Sequence, residues 1–193
     1  MRYFLSLILL AVFCVSAQDV PVQNELIINY GGGGWKNGQV HEPCVLVNPK
    51  DPKRLIMIYG GALHQNQGGI GSIGKAWANI NEPFKWHEDE SNPILKLDPK
   101  VPFESGMIRV DTVIYNESSD EYWIYYTGRT PQNVDAIGLV TCPAGKDGYS
   151  DVTLANIKRH AGNPILSPGG QGRSDESLVS QGAVFRENGM WYS

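Results

Sequence analysis

The sequence predicts an all-β protein, and three observations support this prediction. No segment keeps the apolar spacing of a helix over three turns. Short apolar runs recur instead, such as CVLV, RLIMIYG, TVIY and YWIYYTG, and Gly, Asn, Asp and Pro separate them. Such runs are typical of strands joined by turns. The 22 Gly and 12 Pro in 193 residues also favour frequent turns over long elements.

The N-terminal segment predicts export. Arg2 precedes an apolar run from Phe4 to Phe13, and small residues precede a cleavage site after Ala17. An apolar run of about ten residues is too short to cross a bilayer core of ~30 Å as a helix. We therefore expect a signal peptide over residues 1–17 and a secreted or periplasmic location, without membrane insertion after cleavage.

Charge and cysteine content exclude several classes of protein. The formal net charge is −4 and basic residues form no cluster, so we expect no nucleic-acid partner. No Cys/His spacing is typical of a zinc site, and we expect neither metal nor cofactor. The mature chain would keep Cys44 and Cys142, and the sequence leaves open whether they form a disulfide or two buried thiols.

A four-residue phrase, NPIL, occurs at 92–95 and again at 163–166, and the residues around the copies also correspond. A shift of 67–68 residues places WKNGQVHEPCVLVN over FESGMIRVDTVIYN, and RLIMIYGG over EYWIYYTG. A further shift of 71 residues places IRVDTVIY over VSQGAVFR and superimposes the two NPIL copies. The chain therefore contains an internal repeat in which NPIL ends each unit.

A unit of about 70 residues with four strands predicts a blade of a β-propeller. We expect the incomplete propeller domain at 18–193, with blade 1 at about 35–95, blade 2 at about 103–166 and the start of blade 3 at about 174–193. VLV, TVIY and AVFR would be innermost strands, and Pro83–Trp86 an outer one. Because a closed propeller has at least four blades, we expect an N-terminal fragment of a longer protein. The alternative is a β-sandwich with accidental internal similarity.

An exported chain of such units, with an inner strand directly after a carboxylate and the phrases NPIL and MWYS, resembles the five-bladed propeller glycosidases of glycoside hydrolase families 43 and 32. In these families three carboxylates lie at the starts of inner strands. They are a base or nucleophile, an acid that orients and tunes its neighbours, and a general acid. The resemblance implies a glycoside hydrolase of the five-bladed type acting on a plant or algal oligosaccharide or polysaccharide.

Two carboxylates match the pattern of these families. Glu42 in HEP directly precedes the first inner strand, and Asp111 in RVDT enters the second, with Arg109 nearby. The internal alignment places Asp111 opposite Pro43, so the two acids are one residue out of register. An ordinary ion pair between Asp111 and Arg109 is the structural alternative.

The third unit lacks the expected acid, because SQGAVF has Ser180 and Gln181 at that place. The nearest carboxylates, Asp175 and Glu176, lie upstream, and Asp175 becomes the third catalytic candidate. The candidates for substrate binding are Trp35, His41, Arg109 and Gln181. Trp35 either stacks on a sugar or fills the space between blades, as its alignment with Phe103 suggests.

Two other functions stay open at this point. A sugar-binding propeller without catalysis fits the missing third acid. A Kelch-like propeller for protein interaction fits the Gly60–Gly61 pair. However, the period of Kelch repeats is nearer 50 residues, and the glycine pair does not recur in the second unit.

Overall fold

The computed structural model describes residues 28–31, 34–63, 71–176, 178–187 and 190–192. The predicted signal peptide lies outside the described residues. Within the described ranges, no helix is long and apolar enough to span a membrane.

Three antiparallel sheets follow one another along the described part of the chain. The first contains β1 (Gln39–Val47), β2 (Arg54–Ala62), β3 (Gly71–Asn79) and β4 (His87–Glu88), with β5 (Leu95–Lys96) also paired to β3. A short 3-10 helix, Pro102–Glu104, leads to the second sheet. This sheet contains β6 (Met107–Asn116), β7 (Glu121–Arg129), β8 (Asp135–Pro143) and β9 (Lys158–Arg159). The third sheet contains β10 (Phe185–Glu187) and β11 (Met190–Tyr192).

The predicted fold class is confirmed, because these sheets form part of a β-propeller. The innermost strands belong to separate sheets and lie side by side. The Cys44 thiol on β1 lies 3.3 Å from the backbone nitrogen of Val113 on β6, and the Thr112 hydroxyl donates to the carbonyl of Gly182, ahead of β10, at 2.8 Å. The two described cysteines, Cys44 and Cys142, are free thiols, and burial raises the pKa of both.

The outermost strand of the first sheet differs from the prediction. Pro83–Trp86 lies in the turn that precedes β4, and β4 itself has only two residues. Pro83 has no backbone N–H to donate to a ladder, which disfavours a strand at this place.

The two larger sheets bury a common apolar core. In β7 burial alternates along the strand, with Tyr122, Ile124 and Tyr126 on the buried face. These side chains meet Ile56 and Ile58 of β2 in one cluster. The apolar side chains that alternate along β7 therefore form the contact between the two larger sheets.

The repeated NPIL phrase has the same role in both units. The Asn92 side-chain amide accepts from the N–H of Lys75 and donates to its carbonyl, both at 2.8 Å, so it pairs with β3 as a strand residue would. Asn163 pairs in the same way with Leu139 on β8, both at 2.9 Å. Both Asn-Pro bonds are cis. The phrase recurs because each third strand needs a partner where its short outer strand is absent.

Each unit also places an aromatic ring over two glycines. The Trp35 ring lies where Cβ atoms on Gly61 and Gly74 would be, and it packs against Tyr59 with centroids 5.5 Å apart. The second unit repeats this contact with Phe103 over Gly128, Gly138 and Tyr126. Trp35 therefore covers its glycines as Phe103 does, but it packs with Met57 and Tyr59 in a cluster separate from the core that the two larger sheets share.

Arg159 joins the two larger sheets through a half-buried ion pair and a backbone hydrogen bond. Arg159 on β9 pairs with Glu104, which is fully buried, and its guanidinium also donates to the carbonyl of Lys96 at 2.8 Å. The Tyr126 hydroxyl donates to the same carboxylate at 2.6 Å. In the first unit the charges are exchanged. Lys36, which precedes the inner strand, pairs with Glu88 on β4, and the Tyr59 hydroxyl donates to the same carboxylate.

We expect Glu104→Ala to lower the free energy of unfolding by about 3 kcal/mol, because Arg159 and the Tyr126 hydroxyl would lose their buried partner. Urea unfolding followed by tryptophan fluorescence measures the change. Glu82→Ala is the matched control, since Glu82 pairs with Lys85 at the surface and its loss should matter little. Equal effects of the two substitutions would contradict the role assigned to the Glu104 pair.

Candidate active site

A pocket of about 250 Å³ lies where the first strands of the three sheets begin. Its volume is close to the lower end of the range for small-molecule sites. The lining residues come from all three units: Glu42 and Pro43; Val110, Asp111 and Thr112; Gln181, Gly182 and Ala183. The pocket therefore combines two carboxylates and an amide with several apolar side chains.

A β-bulge places each carboxylate at the pocket. The pairing of β1 with β2 shifts between His41 and Cys44, and that of β6 with β7 shifts between Val110 and Thr112. Each bulge adds one residue to the inner strand and so redirects a side chain. The one-residue offset between Glu42 and Asp111 in the alignment is absorbed by these bulges.

Two pocket residues have an uncommon backbone conformation. Glu42 has φ of 51° and Gln181 has φ of 57°, in the left-handed region that non-glycine residues seldom adopt. Such residues cluster at functional sites and persist where surrounding contacts hold them. Gln181 thus takes the backbone geometry of Glu42 in the third unit, with an amide in place of the acid.

Among the described residues, three polar side chains lie next to the Glu42 carboxylate. His41 Nδ1 lies 3.1 Å from Oε2, Gln181 Nε2 donates to Oε1 at 3.3 Å, and Arg109 Nη1 lies 3.8 Å from Oε1. Burial by itself raises the pKa of Glu42, but the hydrogen bond and charge of His41, and then Arg109 and Gln181, hold it below the usual value. Glu42 is therefore ionised at neutral pH.

A glycine makes the contact between His41 and Glu42 possible. His41 lies opposite Gly60 in the pairing of β1 with β2. A Cβ atom on Gly60 would overlap the His41 ring. The missing side chain thus leaves room for the ring beside the carboxylate.

Asp111 has a different environment. The Thr127 hydroxyl lies 2.9 and 2.8 Å from its two carboxylate oxygens. Burial raises the pKa of Asp111 to about 7, against the opposing hydrogen bond of Thr127 and with a contribution from the charge of Glu42. Near neutral pH this carboxyl exchanges its proton, while Glu42 stays ionised.

Arg109 pairs with Glu42 and is held by Asp135. Its Nη2 lies 3.1 Å from Asp135 Oδ2, and Arg129 binds the same carboxylate through Nε at 2.5 Å and Nη2 at 2.8 Å. Asp135 is 1% exposed. Within the described residues, the ion pairs of Arg109 go to Asp135 and Glu42, and Asp111 bonds to Thr127 instead.

The structure brings five of the seven predicted site residues together and leaves two apart. Glu42, Asp111, His41, Arg109 and Gln181 lie in or directly beside the pocket. Trp35 packs under the first sheet. Asp175 pairs with Arg173 at 3.3 Å in the loop before the third sheet, and it does not line the pocket.

Thr127 and Asp135 are site residues that the sequence did not point to. The repeat alignment contained a signal for the first, since Thr127 replaces Gly60 in the second unit. Among the described residues, no group of three or more His, Cys, Asp or Glu side chains has the geometry of a metal site.

Two solved structures share this fold. One, described as a glycoside hydrolase, superimposes with a TM-score of 0.58 at 15% sequence identity. The other, described as a BT0996 RGII complex, superimposes with a TM-score of 0.59 at 16% identity. Each match covers 85% of this chain and 49% of the other, so the chain spans about half the length of either protein. At these identities the likeness shows a glycoside hydrolase-like fold. No family model matches the sequence, and no curated protein matches it.

We expect Gly60→Ala to displace the His41 ring and so remove its hydrogen bond to Glu42. The pKa of Glu42 should then rise toward its ordinary range, which a carboxyl-detected NMR titration measures. Gly61→Ala is the matched control, because its methyl group would meet the Trp35 ring instead. An unchanged Glu42 titration in a folded Gly60→Ala variant would show that His41 does not set this pKa.

The raised pKa of Asp111 predicts a pH dependence of stability. Because the folded protein binds this proton more tightly than the unfolded chain, its contribution is complete below about pH 4 and is lost as pH rises through about 7. Relative to wild type, Asp111→Asn should therefore gain stability between about pH 4 and 7 and level off above that range.

Urea unfolding at intervals across this range checks the prediction. Asp120→Asn is the matched control, because the hydrogen bond from Lys50 holds the pKa of exposed Asp120 below its usual value, outside the tested range. A stability difference between Asp111→Asn and wild type that does not change with pH would contradict it.

Proposed function

We propose that the protein is an exported, carbohydrate-active glycoside hydrolase that cleaves a plant or algal oligosaccharide or polysaccharide by carboxylate acid/base catalysis. The observation that carries this proposal is the placement of Glu42 and Asp111 in one pocket, with pKa values moved in opposite directions. Two carboxyl groups with separated pKa values are what glycoside cleavage requires.

The two carboxyl groups would have different roles. Ionised Glu42 would activate water or attack the anomeric carbon, since it stays deprotonated at neutral pH. Asp111 keeps its proton up to about pH 7 and would supply it to the leaving oxygen. His41 and Arg109 would hold Glu42, and Pro43, Val110 and Ala183 would form apolar walls against the sugar ring.

The fold supports this proposal in a general way. The likeness to glycoside hydrolase structures supports a carbohydrate as the partner, and the charge of −4 supports neither nucleic acid nor an anionic membrane surface. The same proposal includes membership of glycoside hydrolase families 43 and 32, secretion, and a role of Asp175 as a third acid.

A second candidate function is sugar binding without catalysis. The observation that favours it is Gln181, whose amide stands at the pocket where the resembling families have a third acid. An amide does not take up and release a proton at neutral pH, but it does donate and accept hydrogen bonds to sugar hydroxyls.

We expect Glu42→Gln and Asp111→Asn each to lower turnover by about 10²–10⁴-fold, because each removes an acid/base group and keeps its shape. Release of reducing ends from arabino-, xylo- and fructo-oligosaccharides measures the effect. Wild-type activity should also fall as pH rises through about 7, as Asp111 loses its proton. The matched surface controls are Glu82→Gln and Asp120→Asn.

The outcomes separate the two functions. Near-normal rates in both pocket variants would refute the assigned catalytic pair, and a fall in Asp175→Asn would support the third acid. Saturable binding of an oligosaccharide by a wild-type protein that hydrolyses none of the panel would favour the binding function, with Gln181 as its cause.

A further inference from the structure

The Thr127 hydroxyl connects the second and third units at the pocket. Thr127 lies on β7 and is fully buried. Its oxygen is 2.9 and 2.8 Å from the two oxygens of Asp111, and it accepts the backbone N–H of Gln181 at 3.2 Å. One side chain therefore contacts both the proposed proton donor and the backbone of the third inner segment.

The chemistry of a hydroxyl suits this place. A hydroxyl has one proton to donate and two lone pairs to accept with. The Gln181 N–H occupies one lone pair, which leaves the proton for an ionised Asp111 and the second lone pair for a protonated one. Thr127 thus has a hydrogen bond to offer in both protonation states of Asp111.

Other contacts hold the same backbone segment. The Thr112 hydroxyl donates to the Gly182 carbonyl at 2.8 Å, and the Val179 N–H donates to the Asp135 carbonyl at 3.1 Å. These bonds enclose Gln181, whose positive φ of 57° needs support from its surroundings. The segment is therefore fixed from the second sheet on both sides of Gln181.

The repeat shows that packing alone does not require a threonine here. Thr127 lies opposite Arg109 in the second sheet, and Gly60 lies opposite His41 at the matching place in the first. The first unit leaves this place empty for the His41 ring, and the second fills it with a hydroxyl.

We propose that Thr127 is a positioning residue that sets the protonation of Asp111 and holds Gln181 at the pocket. The inference rests on the proposed function only for its catalytic meaning, because the hydrogen bonds themselves exist with or without a substrate. Removal of the hydroxyl takes a charge-assisted hydrogen bond from the ionised carboxylate and a weaker, neutral one from the protonated form, so the proton should then bind more tightly.

The test is a carboxyl-detected NMR titration of Asp111 in wild type, Thr127→Val and Thr127→Ser. Thr127→Val removes the hydroxyl at nearly constant volume and should raise the titration midpoint by about 0.5 or more. Thr127→Ser keeps the hydroxyl and should restore the wild-type midpoint. Thr141→Val, on β8 and outside the pocket, is the matched control and should change nothing.

An unchanged midpoint in Thr127→Val, or a Thr127→Ser variant that titrates like Thr127→Val, would overturn the inference. If Thr127→Val does not fold, Thr127→Ala is titrated in its place and judged by the same two outcomes. Where an oligosaccharide is cleaved, the alkaline limb of kcat/KM should move with the Asp111 midpoint. A wild type that cleaves none refutes the proposed function and leaves the titration as the test of Thr127.

Discussion

The bulges in β1 and β6 decide whether the two acids can meet at all. In a regular strand side chains alternate between the two faces of the sheet, so an acid on an inner strand would lie on one of these faces. One extra residue in each strand interrupts this alternation at Glu42 and at Asp111. The ladder resumes on either side, so the apolar residues of both strands keep their places in the core. The sheets thus remain intact while two charged groups meet in one pocket.

The two acids meet in environments that differ because the second strands differ. Opposite the bulge, the first unit has Gly60 and admits an imidazole, whereas the second has Thr127 and supplies a hydroxyl. Glu42 is consequently next to hydrogen-bond donors and positive charge, whereas Asp111 is buried and contacts one hydroxyl. The separation of the two pKa values is therefore a property of the neighbouring strands rather than of the acids themselves.

The same principle operates away from the pocket. Both units pack an aromatic ring over paired glycines, and both join a tyrosine hydroxyl to a carboxylate. The charged partners are exchanged between the units, as Lys36–Glu88 in one and Glu104–Arg159 in the other. The repeat preserves the type of each of these interactions, and it lets the residues that form them change.

Local patterns were enough to predict the long strands, their order and the repeat, because alternation and turn residues are properties of short segments, but they misplaced the outer strand of the first unit. They also brought Glu42 and Gln181 to equivalent positions and Asp111 to within one residue of them, and equivalent positions of a repeat converge in space. The bulges at Glu42 and Asp111 were beyond prediction, and so was the positive φ of Glu42 and Gln181, because neither of these two residues is a glycine. So were the partners of Arg109 and Thr127, because Asp135 and Gln181 lie 26 and 54 residues away from them along the sequence. These contacts exist only in the folded molecule, and they select which acid stays ionised and which keeps its proton, because pKa values depend on burial and on neighbours in space.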